Sequence, residues 1–332
     1  MTEQKSSTGL KPSNLFTVAD DEAGQRLDNY LLREFKDLPR SHLYRLVRTG
    51  QVRINKKRCK PMQKLSAGDQ IRLPPKMVLE RQENLEAKPQ LSLGSKLAER
   101  LQNSILFEDE RLLIIDKPSG MAVHGGSGIS LGVIEAMRLL KPQQQYLELV
   151  HRLDRSTSGC LVLAKKRSAL RELHRQIRDN EVKKQYLTLL KDHWSDRARV
   201  DLPLDVEHRK GGERHVVVSE KGKKSLSHFN RLQHYIAEKN KNLKVSLMQV
   251  DLETGRTHQI RVHAQAKQHP VAGDDRYGDR EFNKQLKKLG LKRLFLHAHN
   301  IEFTHPKSGE ELSISAPLPD DLSRLIDKLK PV

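Results

Sequence analysis

Apolar positions recur at helical spacing near the start of the chain and at strand spacing through most of the remainder. In RLDNYLLREF, Leu27, Tyr30, Leu31 and Phe35 fall three or four apart, which predicts a helix. After Pro39, RSHLYRLVRTG sets Leu43, Leu46 and Val47 on one face and predicts a second helix, stopped by Gly50. VRIN, a turn at Lys56 and Lys57, and GDQIRLP read as short strands. From Ile105 the pattern changes. ILFEDERLLIIDKPSG predicts strand, turn, strand and a stop at Lys117-Pro118. SLGVIEAMRLL predicts a helix with Ser130 as N-cap. YLELV and the fully apolar GCLVLAKK are predicted strands on either side of a polar loop, and Ser168 can cap a helix that turns Leu170, Leu173 and Ile177 inward. VKKQYLTLL opens a long β-rich stretch. A helix around HQIRVHAQA, the strands LFLHAHNIEF and ELSISA, and a last helix from Asp320 to Leu329 follow. Strands arrive in runs and outnumber helices, so the fold class is α+β on a mixed, mostly antiparallel sheet.

The pattern divides the chain into four segments. Residues 1–17 are polar and expected to be disordered. Residues 18–75 form a small compact unit. Residues 76–103 read as a linker with a short helix near Lys96 to Leu101, and 104–332 as the larger domain.

Charge narrows the partners. Lys and Arg number 61 against 42 Asp and Glu, a formal charge of +19, so the expected partner is a polyanion: nucleic acid or an anionic membrane surface. No apolar run approaches the roughly 18 residues of a membrane span, and the polar N-terminus lacks the apolar core of a signal peptide. Aromatics at 4% argue against a surface that grips single strands mainly by stacking. Cys59 and Cys160 form no C-x-x-C pair, so neither a disulfide framework nor a cysteine zinc site is expected, and the reading is a reduced, cytoplasmic protein. With no exposed apolar stripe evident, a monomer is expected.

The charge is concentrated. From Arg40 to Lys60 there are eight Lys and Arg and no acid. Arg45 and Arg48 lie three apart off the apolar face of the second helix, and Arg40, Lys56, Lys57 and Arg58 flank it, a ridge suited to phosphates. GQRLDNYL, the helix running to RTGQVRIN, and GDQIRLP together resemble the S4 RNA-binding domain, over roughly residues 20–75.

In HRLDRSTSGCLVLAKK, residues 151–166, one acid lies between Arg152 and Arg155. Flanking guanidinium groups favour the ionised carboxylate. Such an Asp154 can be a structural ion pair, a metal ligand, a general base or a nucleophile. A hard cation wants several oxygen ligands, and no second acid is near; neither HAH at 297–299 nor His258 with His263 has zinc-motif spacing, so no metal is expected. The sequence names no partner acid for a two-carboxylate glycosidase, and STSG is not the G-x-S-x-G elbow of a serine hydrolase. A solitary aspartate, acting as nucleophile or as stabiliser of a sugar cation, remains beside the structural ion pair. Strand alternation puts Tyr186 opposite Leu187 and Leu189, where it can stack on a base or pack in the core. In TGRTHQIRVH, Arg256 and Arg261 sit by a glycine turn; one of them could reach a buried carboxylate bidentately, or both could face solvent. GDDRYGD is a tight polar loop and weak by itself.

HRLDRSTSG at 151–159, KKQYLTL at 183–189, TGRTHQIRVH at 254–263, GDDRYG at 273–278, LFLHA at 294–298 and KPSGMAVHGG at 117–126 together resemble the pseudouridine synthases of the large-ribosomal-subunit type. Order and spacing match from about 105 to 317, behind the S4-like unit. The resemblance implies that a uridine in large-subunit ribosomal RNA is rejoined to its sugar through carbon, with no cofactor and no metal. It implies that Asp154 is the essential aspartate, Tyr186 stacks on the target base, Arg261 pairs with the aspartate, and Leu296 lines the uracil pocket. Arg152 would fill the gap left by the flipped nucleotide, with Arg155, Arg256 and His258 also facing RNA. Position 156, commonly Asp in the motif, is Ser156 here. The rivals are a related synthase acting on transfer RNA or another ribosomal site, an RNA N-glycosidase using the same carboxylate, and a non-catalytic S4-type RNA-binding protein.

Overall fold

The structure is a computed structural model. It describes residues 14–19, 22–35, 38–75, 77–78, 96–125, 131–194, 197–208, 214–238 and 240–332. Most of the expected disordered tail, most of the linker, and Ser130 lie outside the described residues. The chain divides into two units, residues 1–90 and 91–332.

The first unit holds β1 (Leu15–Thr17), α1 (Leu27–Glu34), α2 (Arg40–Arg48), β2 (Arg53–Ile54), β3 (Lys57–Arg58) and β4 (Gln70–Arg72). The strands form an antiparallel sheet in the order β1-β4-β2-β3. The helices press Leu27, Leu31, Leu43 and Val47 against Val52, Ile54 and Ile71. Three expectations are corrected. Leu15–Thr17 is a strand on β4, so the ordered unit begins before residue 18; three residues carry too little periodicity to be read in isolation. The hairpin turn is Asn55-Lys56, both at positive φ, as a two-residue turn needs, and Lys57 already belongs to β3. Met77 and Val78, expected in the linker, are buried in this core.

The second unit begins with α3 (Lys96–Gln102), whose Leu101 is buried, then β5 (Ile105–Glu108), β6 (Leu112–Lys117), α4 (Val133–Leu140), β7 (Glu148–Leu149), β8 (Ser158–Ala164), α5 (Arg167–Arg178) and β9 (Lys183–Lys191). β10 (Arg197–Asp201), β11 (Leu204–His208), β12 (Arg214–Val218), β13 (Leu226–Ala237) and β14 (Asn240–Leu252) make the β-rich stretch. α6 (Gln259–Ala266), α7 (Arg280–Lys288), β15 (Leu296–Thr304), β16 (Glu311–Ser315), α8 (Asp320–Ile326) and β17 (Leu329–Pro331) complete it. Among the described residues the main sheet runs β10-β13-β14-β9-β15-β8-β6-β5, with β16, β17 and β7 on its flanks and β11–β12 as a separate ribbon. Every pairing is antiparallel except β15 with β8. The mixed, mostly antiparallel α+β expectation therefore holds.

Side-chain alternation explains why GCLVLA is apolar throughout. Leu161 and Leu163 of β8 face α4 through Val133 and Met137, while Cys160 and Val162 face α5 through Ala169 and Leu173. On β9, Leu190 packs toward α6 and Leu189 toward α7 and α8. Smaller departures have local causes. The N-cap of α4 is Gly132, whose amide donates to the Glu135 carboxylate; a Cβ there would lie 2.4 Å from the His124 carbonyl carbon. Ser168 sits inside the first turn of α5, where its hydroxyl accepts from Arg111. The last helix ends at Ile326, because Leu329–Pro331 pairs with β13 instead.

Candidate active site

Asp154 lies in the loop between β7 and β8, where its carbonyl accepts the Thr157 amide at 3.1 Å. The loop is clasped to the segment after β6. Lys117, fully buried, donates from Nζ to the carbonyls of Pro118 (3.0 Å), Met121 (2.9 Å) and Arg155 (3.3 Å). Arg155 Nε donates to the Gly120 carbonyl, the Gly120 amide returns to the Arg155 carbonyl, and the Ser119 hydroxyl donates to the Ser156 carbonyl. That last bond uses the backbone of residue 156. Burial lowers Lys117 to about 7, although the Asp154 charge works the other way. At the loop's exit Gly159 (φ +111) lies against β15: a Cβ would stand 2.2 Å from the Ala298 carbonyl oxygen. Only glycine lets β8 and β15 run side by side there.

The groups that face Asp154, the cation Arg261 and the imidazole of His258, come from α6 and its N-cap and not from its sequence neighbours. Arg261 Nη1 lies 3.5 Å and His258 Nε2 3.7 Å from Asp154 Oδ2. No ion pair between Asp154 and Arg152 or Arg155 occurs among the described residues. Both arginines are exposed; Arg152 lines the cleft, and Arg155 spends its Nε on the clasp. The expected bidentate bond is real, but its acceptor is Asp274. Arg261 Nε and Nη2 meet Asp274 Oδ2 and Oδ1 at 2.7 and 2.8 Å, with Arg261 5% and Asp274 1% exposed. Asp274 also accepts the amides of Arg276 and Tyr277. Burial alone would raise the Asp274 carboxyl, but the Arg261 hydrogen bonds and charge outweigh it and hold the group below the usual carboxylate range. Arg261 thus reaches Asp154 as an oriented, already compensated donor.

His258 is the N-cap of α6 in a left-handed conformation (φ +55), a strained choice for this residue. Its Nδ1 lies 2.8 Å from the Tyr277 hydroxyl, which accepts the Val216 amide at 3.0 Å. Burial lowers the pKa of His258 against the pull of Asp154, so the neutral ring is favoured. Tyr186, half-buried on β9, pairs in the sheet with Ala298 and Val250 and lines the cleft opposite the loop. Burial and then the Asp154 charge raise its phenol, which stays protonated. Leu296 is buried and forms the cleft wall with Leu252 and Ile260. The backbone of Arg256 is held by Gln259, whose side chain accepts from Arg256 N and Thr254 Oγ1 and donates to Leu226 O.

The structure therefore gathers Asp154, Tyr186, Arg261, Arg152, Arg256, His258 and Leu296 at one cleft. Arg155 stands beside it. Arg40, Arg45, Arg48, Lys56, Lys57 and Arg58 are all exposed on the first unit. Sequence reading missed Asp274, Tyr277, Gln259 and Lys117 as parts of the site. Their signals were present in GDDRYG, THQ and DKPSG, but nothing in the sequence told which of several polar residues would be buried. Among the described residues no group of three His, Cys, Asp or Glu could hold a metal ion, and no helix is long and apolar enough to cross a membrane.

Residues 111–266 match the RNA pseudouridylate synthase family and residues 25–71 the S4 domain family. The chain is 47% identical over 331 residues to the ribosomal large subunit pseudouridine synthase C of Haemophilus influenzae, covering 99% of each chain. It is 49% identical over 319 residues to the protein of that name from Escherichia coli K12, covering 95% of this chain and 96% of that one. Among solved structures, human RNA pseudouridylate synthase domain containing 1 superposes with a TM-score of 0.58 at 27% identity, over 73% of this chain and 92% of that one. An S4 domain, a synthase domain with this cleft, and near-full-length identity of this order make the chain a member of the RNA pseudouridine synthase family and an RNA pseudouridine synthase.

Proposed function

We propose that the enzyme isomerises uridines of large-subunit ribosomal RNA and that Asp154 is its essential carboxylate. The single observation that carries the assignment is the setting of Asp154: a carboxylate open to the cleft, facing an oriented guanidinium and Tyr186. The name of the relatives, ribosomal large subunit pseudouridine synthase C, favours ribosomal RNA. Net charge and the exposed basic ridge of the S4 unit fit backbone binding.

The reaction conserves atoms. Asp154 acts on the sugar, the N1–C1′ bond breaks, the uracil turns in the cleft, and C5 bonds to C1′. One proton leaves C5 and one joins N1, so the mass is unchanged. Tyr186 and Leu296, diagonal neighbours on one face of the β9–β15 pair, line the cleft that receives the loose base. The neutral phenol of Tyr186 suits stacking and hydrogen-bond donation, since no phenolate is available beforehand. Extruding the uridine would cost a few kcal/mol in a duplex, and less in a loop or bulge.

The test is carbodiimide mapping of pseudouridine in an unmodified large-subunit RNA transcript, treated with wild type or Asp154→Asn. Reverse-transcription stops with wild type alone, and RNA affinity of the variant within about threefold, are expected. Equal stops with the variant would remove Asp154 from its role. Stops on transfer RNA but none on the ribosomal transcript would overturn the substrate.

A further inference from the structure

Behind Tyr186 the cleft opens into a second cavity of about 610 Å³, within the ~300–1,000 Å³ of ligand sites. The two share Arg152, Tyr186, Leu252, Gly255 and Arg256. Lys184 is two residues from Tyr186 on β9, so both side chains leave the same face of the strand. Its ammonium reaches across to the backbone at Gly255, 4.0 Å from where a side chain there would begin. Lys184 is partly buried, and among the described residues its Nζ makes no hydrogen bond or ion pair. Its stem is covered while the ammonium keeps contact with solvent, so the charge stands open to an anion entering the cavity.

The charges around it point to one kind of occupant. Among the described residues Arg152, Arg178, Lys184, Lys224 and Arg256 line the cavity against a single carboxylate, Glu253, which is hydrogen-bonded to His228 at 2.7 Å. The two histidines present are committed to backbone. His151 Nε2 accepts the Val162 amide and His174 Nε2 bonds the Val150 carbonyl. Burial pushes His151 down to about 4, so it adds no charge at neutral pH. The floor is apolar, with Val162, Leu173 and Ile301. A cationic rim over an apolar floor fits a nucleotide, with phosphate at the rim and sugar and base below.

We propose that this cavity is a second nucleotide subsite, in which Lys184 binds the phosphate of the RNA residue adjacent to the target uridine. The proposal depends on the reading of the cleft as the uridine site. Continuity of the two cavities makes the neighbouring nucleotide the occupant, because the chain that delivers the uridine must leave the cleft on one side.

Steady-state conversion of the large-subunit RNA transcript by Lys184→Met, which keeps the aliphatic stem, tests it. KM rises about tenfold, about 1.4 kcal/mol, with kcat within twofold, as for loss of one charge-assisted hydrogen bond to phosphate. The dependence of log KM on log salt becomes shallower by about 0.7, the increment for one phosphate of a single strand; loss of mere packing would leave that slope alone. Lys184→Arg restores KM to within about threefold. Asn180→Asp, a carboxylate at the same cavity's wall on a residue whose left-handed backbone aspartate tolerates, also raises KM. Unchanged KM and salt slope in Lys184→Met, or a fall in kcat alone, overturn the subsite. Absence of wild-type turnover on the transcript would instead overturn the substrate reading above.

Discussion

Asp274→Asn isolates the pair that aims Arg261. In the wild type Asp274 Oδ1 accepts three donors: Arg261 Nη2 at 2.8 Å, the Arg276 amide at 3.0 Å and the Tyr277 amide at 2.9 Å. Oδ2 accepts Arg261 Nε at 2.7 Å. An asparagine with its carbonyl in the Oδ1 position keeps the first three. It then turns an NH2 group toward the Nε–H of Arg261, donor against donor, and removes the charge that compensates a buried guanidinium. Breaking a buried pair from one side costs about 3–5 kcal/mol. For a unit of this size, at roughly 2–4 °C per kcal/mol, Tm falls by roughly 6–20 °C. Arg261 is drawn toward Asp154, and a misplacement of about 1 Å at a reacting group costs roughly 100-fold in rate. Thermal unfolding by circular dichroism gives the first quantity. kcat/KM, measured well below the variant's Tm, gives the second free of unfolding. A Tm within 1–2 °C of wild type together with kcat/KM within about twofold would refute the reasoning, because something other than Asp274 would then be holding Arg261.

Two further predictions concern the loop's supports. Gly159→Ala combines a positive φ with a clash against the Ala298 carbonyl, so it should cost about 2–5 kcal/mol by urea unfolding and lower kcat, by parting β8 from β15; a loss under about 0.5 kcal/mol would show that the strands separate easily. Lys117 has a folded-state value of about 7 against the ordinary 10.5, so between these pH values the unfolded chain holds a proton that the folded protein does not. Its contribution to stability therefore rises with pH across that window and is flat below it. Urea midpoints of wild type and Lys117→Met at pH 6, 8 and 9.5 should show the difference moving in favour of wild type as pH rises, by roughly 1.4 kcal/mol per pH unit at most; a pH-independent difference would mean that the ammonium stays charged.

Most elements could be read from periodicity because each buries one stripe or one face. The buried strand β8 and the helices α1 and α2 are the plainest cases, and the basic run from Arg40 to Lys60 did emerge as exposed charge on one small unit. What failed was local and short. β1 and β17 are three residues each and exist through pairing with distant strands, Leu15 with Arg72 and Tyr235 with Pro331. α7, whose buried Phe282 and Leu286 pack with Leu189, was hidden in a segment read only as a polar loop and its surroundings.

The site divides in the same way. Sequence by itself singled out the residue types of the proposed site: a lone aspartate in a basic loop, a tyrosine off the leucine face of a strand, and an arginine beside a glycine turn. Those are properties of residue identity and short spacing. The tertiary structure alone decided who partners whom. Arg152 and Arg155 flank Asp154 in sequence, yet neither is ion-paired with it, because the turn sends one into the cleft and the other to Gly120. The cation that does face Asp154 is 107 residues away on α6, and its own counter-ion is Asp274, from a loop that looked unremarkable by itself. Pairing of buried charges depends on which groups lose their water together, and that is settled only when sheet register and helix packing bring distant segments into one place.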